Sequence, residues 1–187
     1  MLVNYSFKNF RSFKDASTLE MIPANVRDIP YSILKAKVGQ EYKALCSAII
    51  YGANASGKSN VILSLAFFKE LIISGNLKNQ RCIPIDLVPC FFNKKNEPID
   101  FSIKFIYQNF VFDYAIQIGN AIFLSENNNP IIERETLSIN EKKIFERQRK
   151  QIVYLDLSKD ENEERLNVIK EKASSSLLDD ELFLTNG

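Results

Sequence analysis

Apolar and polar positions change their rhythm along this chain, and each rhythm predicts a different element. Residues 2–13 (LVNYSFKNFRSF) are dense in β-branched and aromatic side chains and read as a strand ending in a turn, with Ser17–Ile22 as its hairpin partner. Residues 24–43 mix polarities behind the breakers Pro23 and Pro30 and read as an irregular connection. Ala44–Tyr51 (ALCSAIIY) is a short, nearly continuous apolar run, the pattern of a strand buried on both faces within a mostly parallel sheet. From Lys58 to Ser74 the apolar residues Ile62, Leu65, Ala66, Phe68 and Ile72 fit a helix, and Gly75-Asn76 is its stop signal.

Beyond that point the strand pattern dominates. Phe101–Tyr107, Phe110–Ile118 and Ala121–Ser125 are strand-like and are separated by the tight-turn dipeptides Gln108-Asn109 and Gly119-Asn120. Ile131–Ile139 and Lys143–Arg147, parted by Asn140-Glu141, predict another hairpin, and Ile152–Asp156 a further strand. Asp160–Lys172, with Leu166 and Ile169 on one side, reads as an amphipathic helix; Ser174–Ser176 breaks it and Leu177–Leu184 begins another. The expected class is α/β with α+β character. One mixed central sheet surrounds the 58–74 helix, with an antiparallel region over 98–157 and helices over 158–187. The whole chain, 1–187, is expected to be a single unit in which residues 1–75 form a strand–loop–helix module.

The chemistry is concentrated between the apolar run and the helix. Residues 52–59, GANASGKS, satisfy the phosphate-loop pattern G-x-x-x-x-G-K-[ST] without mismatch. Gly52 and Gly57 allow backbone conformations that a side chain would block, so the N–H groups of Ala53, Asn54, Ala55 and Ser56 can curl around an anion. The helix that starts near Lys58 aims its positive end at the same point. Lys58 is assigned to the β- and γ-phosphates of a nucleotide and the Ser59 hydroxyl to Mg²⁺. Asn60, in the first helical turn, is placed for its amide to order the loop or meet the second strand's carboxylate, with a plain surface or capping role as the alternative. The bland alternative, a glycine turn opening an ordinary helix, fits the strand–loop–helix context poorly.

Composition adds mainly exclusions. The 187-residue chain is 45% hydrophobic and 25% charged with a formal net charge of +1, as in ordinary globular proteins. Residues 156–187 carry nine acids against four bases, a balance of −5 that leaves +6 on the rest. That bias suits a phosphate ligand without naming one. With no histidine and three cysteines (Cys46, Cys82, Cys90) lacking metal spacing, neither a zinc site nor a His-based nucleophilic unit is expected in this chain; buried or half-buried free thiols are. The run Val61–Ile73 is too short and too polar to span a bilayer, and Met1 leads straight into a strand pattern rather than a leader. A cytoplasmic protein without membrane partners is the expectation.

Asn9–Phe13 (NFRSF), followed about forty residues later by Tyr51–Asn60 (YGANASGKSN), resembles the opening of SMC-like ATPases. That group includes chromosome-maintenance, recombination-repair and RecF-type proteins, and bacterial AAA-type ATPases linked to phage defence and abortive infection. The resemblance covers residues 2–75. Residues 132–150 are also similar to a β-hairpin of the phage-defence group through the rhythm E-x-L…F-x-R at Glu135, Leu137, Phe145 and Arg147. The resemblance implies a P-loop NTPase of the ABC-type head class that binds ATP with Mg²⁺ and places Arg11 near the nucleotide. It also implies a homodimer of heads sandwiching ATP, whose output falls on DNA or an effector protein.

A working head of that class also needs a Walker B carboxylate with an adjacent acid, and a signature segment acting across the dimer. No residue is assigned to catalysis. Asp156, after the apolar IVYL, has Leu157 where the catalytic acid belongs, and Leu177–Glu181 (LLDDE) has too short an apolar lead. The chain is therefore expected to be an incomplete head: an ATP-dependent switch in phage defence or DNA repair. The alternative is a regulatory module that binds nucleotide without turnover.

Overall fold

The structure, a computed structural model, describes residues 1–24, 30–77, 87–93, 97–119, 130–156, 171 and 173–186. In chain order the strands are β1 (Leu2–Lys8), β2 (Ser17–Glu20), β3 (Ile33–Val38), β4 (Gln40–Leu45), β5 (Ile99–Tyr107), β6 (Phe110–Gly119), β7 (Ile131–Ile139), β8 (Lys142–Gln148) and β9 (Gln151–Leu155). The helices are α1 (Lys58–Ser74) and α2 (Phe183–Asn186), with a helical stretch at 173–176 between them. A seven-stranded sheet runs in the order β2-β1-β5-β6-β7-β8-β9, and β3 and β4 form a separate hairpin.

Local sequence explains most of this sheet. Gln108 and Asn109 (φ 45° and 63°), and Asn140 and Glu141 (φ 50° and 66°), both occupy left-handed backbone, as two-residue hairpin loops between right-twisted strands require. These two turns fix β5 on β6 and β7 on β8 in the expected places. One sheet face carries Tyr5, Phe101, Tyr114, Ile116 and Ile118, all buried, and α1 lies on it through Phe68 and Leu71. The Phe68 ring centroid is 6.0 Å from that of Tyr5, 5.5 Å from Phe101 and 5.9 Å from Tyr114. On the opposite face Val3, Ile106 and Val111 are covered by Ala36, Val38 and Tyr42 of the β3–β4 hairpin.

Several expectations are corrected. The sheet is not mixed: every described pairing within it is antiparallel. Ala44–Tyr51 is not a doubly buried strand. Pairing ends at Leu45, and Cys46–Ile49 and Tyr51 are exposed, Ile49 and Tyr51 at 88% and 89%. An apolar run becomes a central strand only when strands flank it and layers cover it; among the described residues no strand pairs beside residues 46–52. The supposed connection 24–43 contains β3 and most of β4. Its alternation was masked by Lys35, Lys37, Glu41 and Lys43 on the solvent side, and Gly39 (φ 70°) makes the turn.

On α1 the buried stripe is Ser64, Phe68 and Leu71; of the apolar positions that fit the helix pattern Phe68 is in it, whereas Ile62 is exposed. Ser64 fits the stripe because its hydroxyl donates to the Val61 carbonyl at 2.8 Å. Residues 173–176 are helical rather than a break, with the Ser176 hydroxyl donating to the Ala173 carbonyl (2.9 Å) and Ser174 Oγ accepting from the Ile152 N–H (3.0 Å). The last helix starts only at Phe183, after a turn at 179–180. Of the cysteines, Cys90 is buried as expected and Cys46 is exposed, because the segment that carries it is uncovered. Cys82, Ala121–Ser125 and most of Asp160–Lys172 lie outside the described residues. Among the described residues no helix is long and apolar enough to cross a membrane.

The E-x-L…F-x-R rhythm has a plain physical meaning. Glu135 stands opposite Arg147 and Leu137 opposite Phe145 across β7 and β8. Both charged side chains are fully buried, with Glu135 Oε2 3.6 Å from Arg147 Nε. Glu135 also accepts from the Tyr114 hydroxyl (2.8 Å) and from the N–H groups of Phe183 (2.8 Å) and Leu184 (3.1 Å), capping α2. Arg147 donates to the Glu181 carbonyl at 2.6 Å. Burial pushes the Glu135 carboxyl above the ordinary glutamate range against these donors, and likewise lowers Arg147. The pair therefore fastens residues 181–184 to the sheet, and the neighbouring residues grip the far end of α1. There the Leu182 N–H donates to Gly75 O and the Leu77 N–H to Asp180 O, both at 2.8 Å.

Removing one partner strands the other charge in a dry interior, which costs about 3–5 kcal/mol. Arg147→Met is expected to lose that much in urea unfolding, whereas adding Glu135→Leu recovers most of it. Strictly additive losses in this double-mutant cycle would show that the two side chains do not act as a pair.

Candidate nucleotide site

The phosphate-loop residues leave the apolar run at Gly52 and enter α1 at Lys58. Ala55 (φ 62°) and Gly57 (φ 94°) both take left-handed backbone, and the Ser56 N–H returns to the Ala53 carbonyl at 3.3 Å. Such reversals turn successive amides toward one side and make an anion-binding concavity. Ala55 adopts this conformation against its steric preference, a local strain of the kind concentrated at functional sites. The Asn60 and Val61 N–H groups both close on the Gly57 carbonyl (2.9 and 3.3 Å). Helix geometry leaves the N–H groups of Lys58 and Ser59 without intrahelical acceptors, facing the loop opening.

Gly52, Ala53, Asn54, Ala55, Ser56 and Ser59 are exposed, and Gly57, Lys58 and Asn60 half-buried. The Lys58 ammonium folds back over its own loop and donates to the carbonyls of Gly52 (2.9 Å) and Ala53 (2.6 Å). Asn60 does not act alone in local capping: its amide donates to Ser12 Oγ at 2.8 Å and ties the helix start to the N-terminal turn.

That turn is where the Arg11 expectation meets the structure. Phe10 and Phe13 exchange two backbone hydrogen bonds (3.0 and 2.9 Å), leaving Arg11 (φ 52°) and Ser12 at the tip. Phe10 is buried against Phe101 and Phe67, and Phe13 packs edge-on to Phe7 at 4.9 Å, so the tip is held from both sides. A Cβ added to Gly57 would stand 2.9 Å from both Phe13 Cε2 and Ser12 Oγ. The turn thus reaches the loop by contact with Gly57. It does not do so by strand pairing beside Ala44–Tyr51, since β1 pairs with β2 and β5. The Arg11 guanidinium rests 5.7 Å from the Phe10 ring centroid, its backbone N–H donates to Val88 O (2.9 Å), and its Nε is buried with no hydrogen-bond partner among the described residues.

Sequence reasoning singled out Arg11 but passed over Ser12 and Phe13, which make the contacts. It also passed over Asn9, which is buried, left-handed (φ 54°) and fully bonded. Its amide donates to the carbonyls of Glu97 (2.7 Å) and Pro98 (3.2 Å), and its Oδ1 accepts from the Cys90 N–H (3.0 Å). An asparagine two residues before a turn arginine was the available signal, because asparagine tolerates left-handed backbone better than other non-glycine residues.

The weak acidic candidates are not brought to the loop. Asp156 follows β9 at the sheet edge, and its carboxylate pairs with Lys142 at 2.6 Å. Asp179 pairs with Lys150 at 3.2 Å, and Asp180 and Glu181 lie against residues 76–77 at the opposite end of α1. Seventeen helical residues put about 25 Å between that end and the phosphate loop. Among the described residues no cluster of three or more acidic, cysteine or histidine groups is arranged to hold a metal ion.

An exposed loop with left-handed Ala55 and Gly57, closing onto a helix N-terminus with Lys58 folded over it, defines a P-loop nucleotide-binding protein. A family profile described as "AAA domain, putative AbiEii toxin, Type IV TA system" matches residues 47–185, and the chain belongs to this AAA family. A search of curated proteins returns no match. AAA ATPases as a class bind ATP with Mg²⁺, and the loop fits both: its amides and Lys58 suit phosphate oxygens, and the exposed Ser59 hydroxyl suits the metal.

Gly57 carries the tightest contact of the site. Gly57→Ala puts a methyl group into Phe13 and Ser12 and leaves alanine at φ 94°, a combined cost of about 1–3 kcal/mol. The expected result is a lower thermal midpoint together with weakened ATP binding. Unchanged values for both would mean that the turn and the loop do not depend on their contact.

Proposed function

We propose that this chain is the ATP-binding head of an SMC-like, ABC-type ATPase that works as a cytoplasmic nucleotide-dependent switch in phage defence. The phosphate loop carries this reading: GANASGKS opens α1 with left-handed Ala55 and Gly57, and the NFRSF turn is seated on Gly57. The family's description as a type IV toxin–antitoxin component favours defence over DNA repair.

In this reading the loop amides and the N–H groups of Lys58 and Ser59 bind the β- and γ-phosphates. Lys58 exchanges its two carbonyl partners for phosphate oxygens, a low-cost rearrangement because those partners belong to an exposed loop. Ser59 contributes its hydroxyl to Mg²⁺, and Asn60 holds the loop to Ser12. Bound Mg²⁺ supplies charge neutralisation across the phosphates. Arg11, one residue from Ser12, adds a second cation on the same side.

A second reading, nucleotide binding without turnover by this chain alone, is favoured by a specific observation. Asp156 and Asp179 are paired with Lys142 and Lys150, and Asp180 and Glu181 lie at the far end of α1. Positioning a hydrolytic water needs such a group, and its loss removes a factor of about 10²–10⁴ in rate. Segment 46–52, unpaired by any strand among the described residues, agrees with a head that is completed by a further strand, and two heads sandwiching ATP, with DNA or an effector protein downstream, would make the switch cooperative.

Calorimetric titration with Mg·ATP tests the loop. Lys58→Ala is expected to bind about 30–1,000-fold more weakly, the equivalent of about 2–4 kcal/mol of charge-assisted contacts. Phosphate release by the unsubstituted chain should stay near that of the variant. Equal affinities would sink the assignment of the loop, and turnover at about 1 s⁻¹, an ordinary enzymatic rate, would sink the non-hydrolysing reading.

A further inference from the structure

We infer that Ser12 is a positioning residue of the nucleotide site: it clamps the first turn of α1, through Asn60 and Gly57, so that the phosphate loop is shaped before a nucleotide arrives. The inference rests on the reading of the loop as an ATP site and adds what holds that site in form. The Asn60 amide donates to Ser12 Oγ at 2.8 Å, and the same oxygen lies 2.9 Å from where a Cβ on Gly57 would stand. Gly57 is the N-cap of α1 and Asn60 its third residue, so one hydroxyl lies against both ends of the first turn. The N–H groups of Lys58 and Ser59, which that turn leaves for an anion, belong to the residues between the two contacts.

Among the described residues little else holds the loop. No strand pairs beside residues 46–52, and the residues from Gly52 to Ser56 are all exposed. The internal ties are the Ser56 N–H on the Ala53 carbonyl, at 3.3 Å, and the Lys58 ammonium on the carbonyls of Gly52 and Ala53. A bound phosphate draws Lys58 off those carbonyls, while Ala55 stays in left-handed backbone against its preference. Such a loop is either kept in its binding form from outside or ordered at the expense of affinity, because only the competent fraction of molecules binds. Ser12 can hold it from outside because its own turn is anchored elsewhere. Phe10 and Phe13 close that turn, Phe10 is buried against Phe101, and the Arg11 N–H donates to Val88 O at 2.9 Å. Asn9, just before the turn, is bonded to Cys90, Glu97 and Pro98. The clamp therefore joins an exposed loop to chain that is held by the core.

Calorimetry with Mg·ATP and with Mg·tripolyphosphate, which has no sugar or base, tests the clamp in Ser12→Ala, Asn60→Ala and the double variant. Ser12→Ala removes one exposed hydroxyl, so folding survives, as circular dichroism would verify. Well below the thermal midpoint, each single variant is expected to bind both ligands about 3- to 10-fold more weakly, the range of one net hydrogen bond. The double variant should bind no more weakly than the weaker single one, because the two side chains make one bond. If Ser12→Ala binds both ligands like the unsubstituted chain while Lys58→Ala weakens both, the clamp is refuted and the loop stands; a side chain that only stabilised the fold gives that result. Additive losses refute it too, since each side chain would then touch the ligand independently. So does a loss confined to Mg·ATP, which would put Ser12 against the sugar or the base. Failure of the unsubstituted chain to bind either ligand overturns the ATP site and the clamp together.

Discussion

Phe68 sits against Tyr5, Phe101 and Tyr114, with ring centroids within 6.0 Å of each. Burying these rings between α1 and the sheet removes a large apolar area from water, and aromatic pairs at such distances add to what area alone gives. This contact sets the axis of α1. The phosphate loop stands at one end of that axis, and at the other the bridge between Asn76 and Glu181 ties in the C-terminal segment. Both ends take their place along that axis, with Phe13 packed on Phe7 near the loop and Phe183 on Phe145 near the other end.

The two ends are then fixed by different physics. At the loop, close approach decides: Gly57 lies where the Ser12–Phe13 turn leaves no room for a side chain, and one hydrogen bond from Asn60 fastens the joint. At the far end, buried charge decides. Glu135 and Arg147 hold each other and the main chain around Phe183 in a region too dry to leave either unpaired. Arg147 Nε and Nη2 still find no hydrogen-bond partner among the described residues, so this joint fixes geometry more than it stabilises the fold.

The turn at Cys90–Asn93 and the phosphate loop share one support, the Asn9-Phe10-Arg11 segment, left-handed at Asn9 and Arg11. Residues far apart in sequence thereby act as one surface. Such an arrangement makes Asn9 a structural hub, bonded to Cys90, Glu97 and Pro98 beside the turn that touches the loop.

How much of this was legible in the residues follows from the range of the forces involved. The phosphate loop, the turns at Gln108-Asn109 and Asn140-Glu141 and the hairpins they close were readable because each is specified by backbone preferences within a few residues. The 58–74 helix and its Gly75 stop were readable for the same reason. The strand assigned to Ala44–Tyr51 failed because burial on two faces is a property of neighbours, and the apolar pattern records a preference without saying what covers it. The sheet's wholly antiparallel order, the pairing of Glu135 with Arg147 and the seating of the NFRSF turn on Gly57 depend on contacts across tens of residues. Sequence alone thus determined the loop and the helix that it opens, since the two are contiguous in the chain. Only the tertiary structure decided what braces them, because close approach and buried charge pairing exist once distant segments have been packed together.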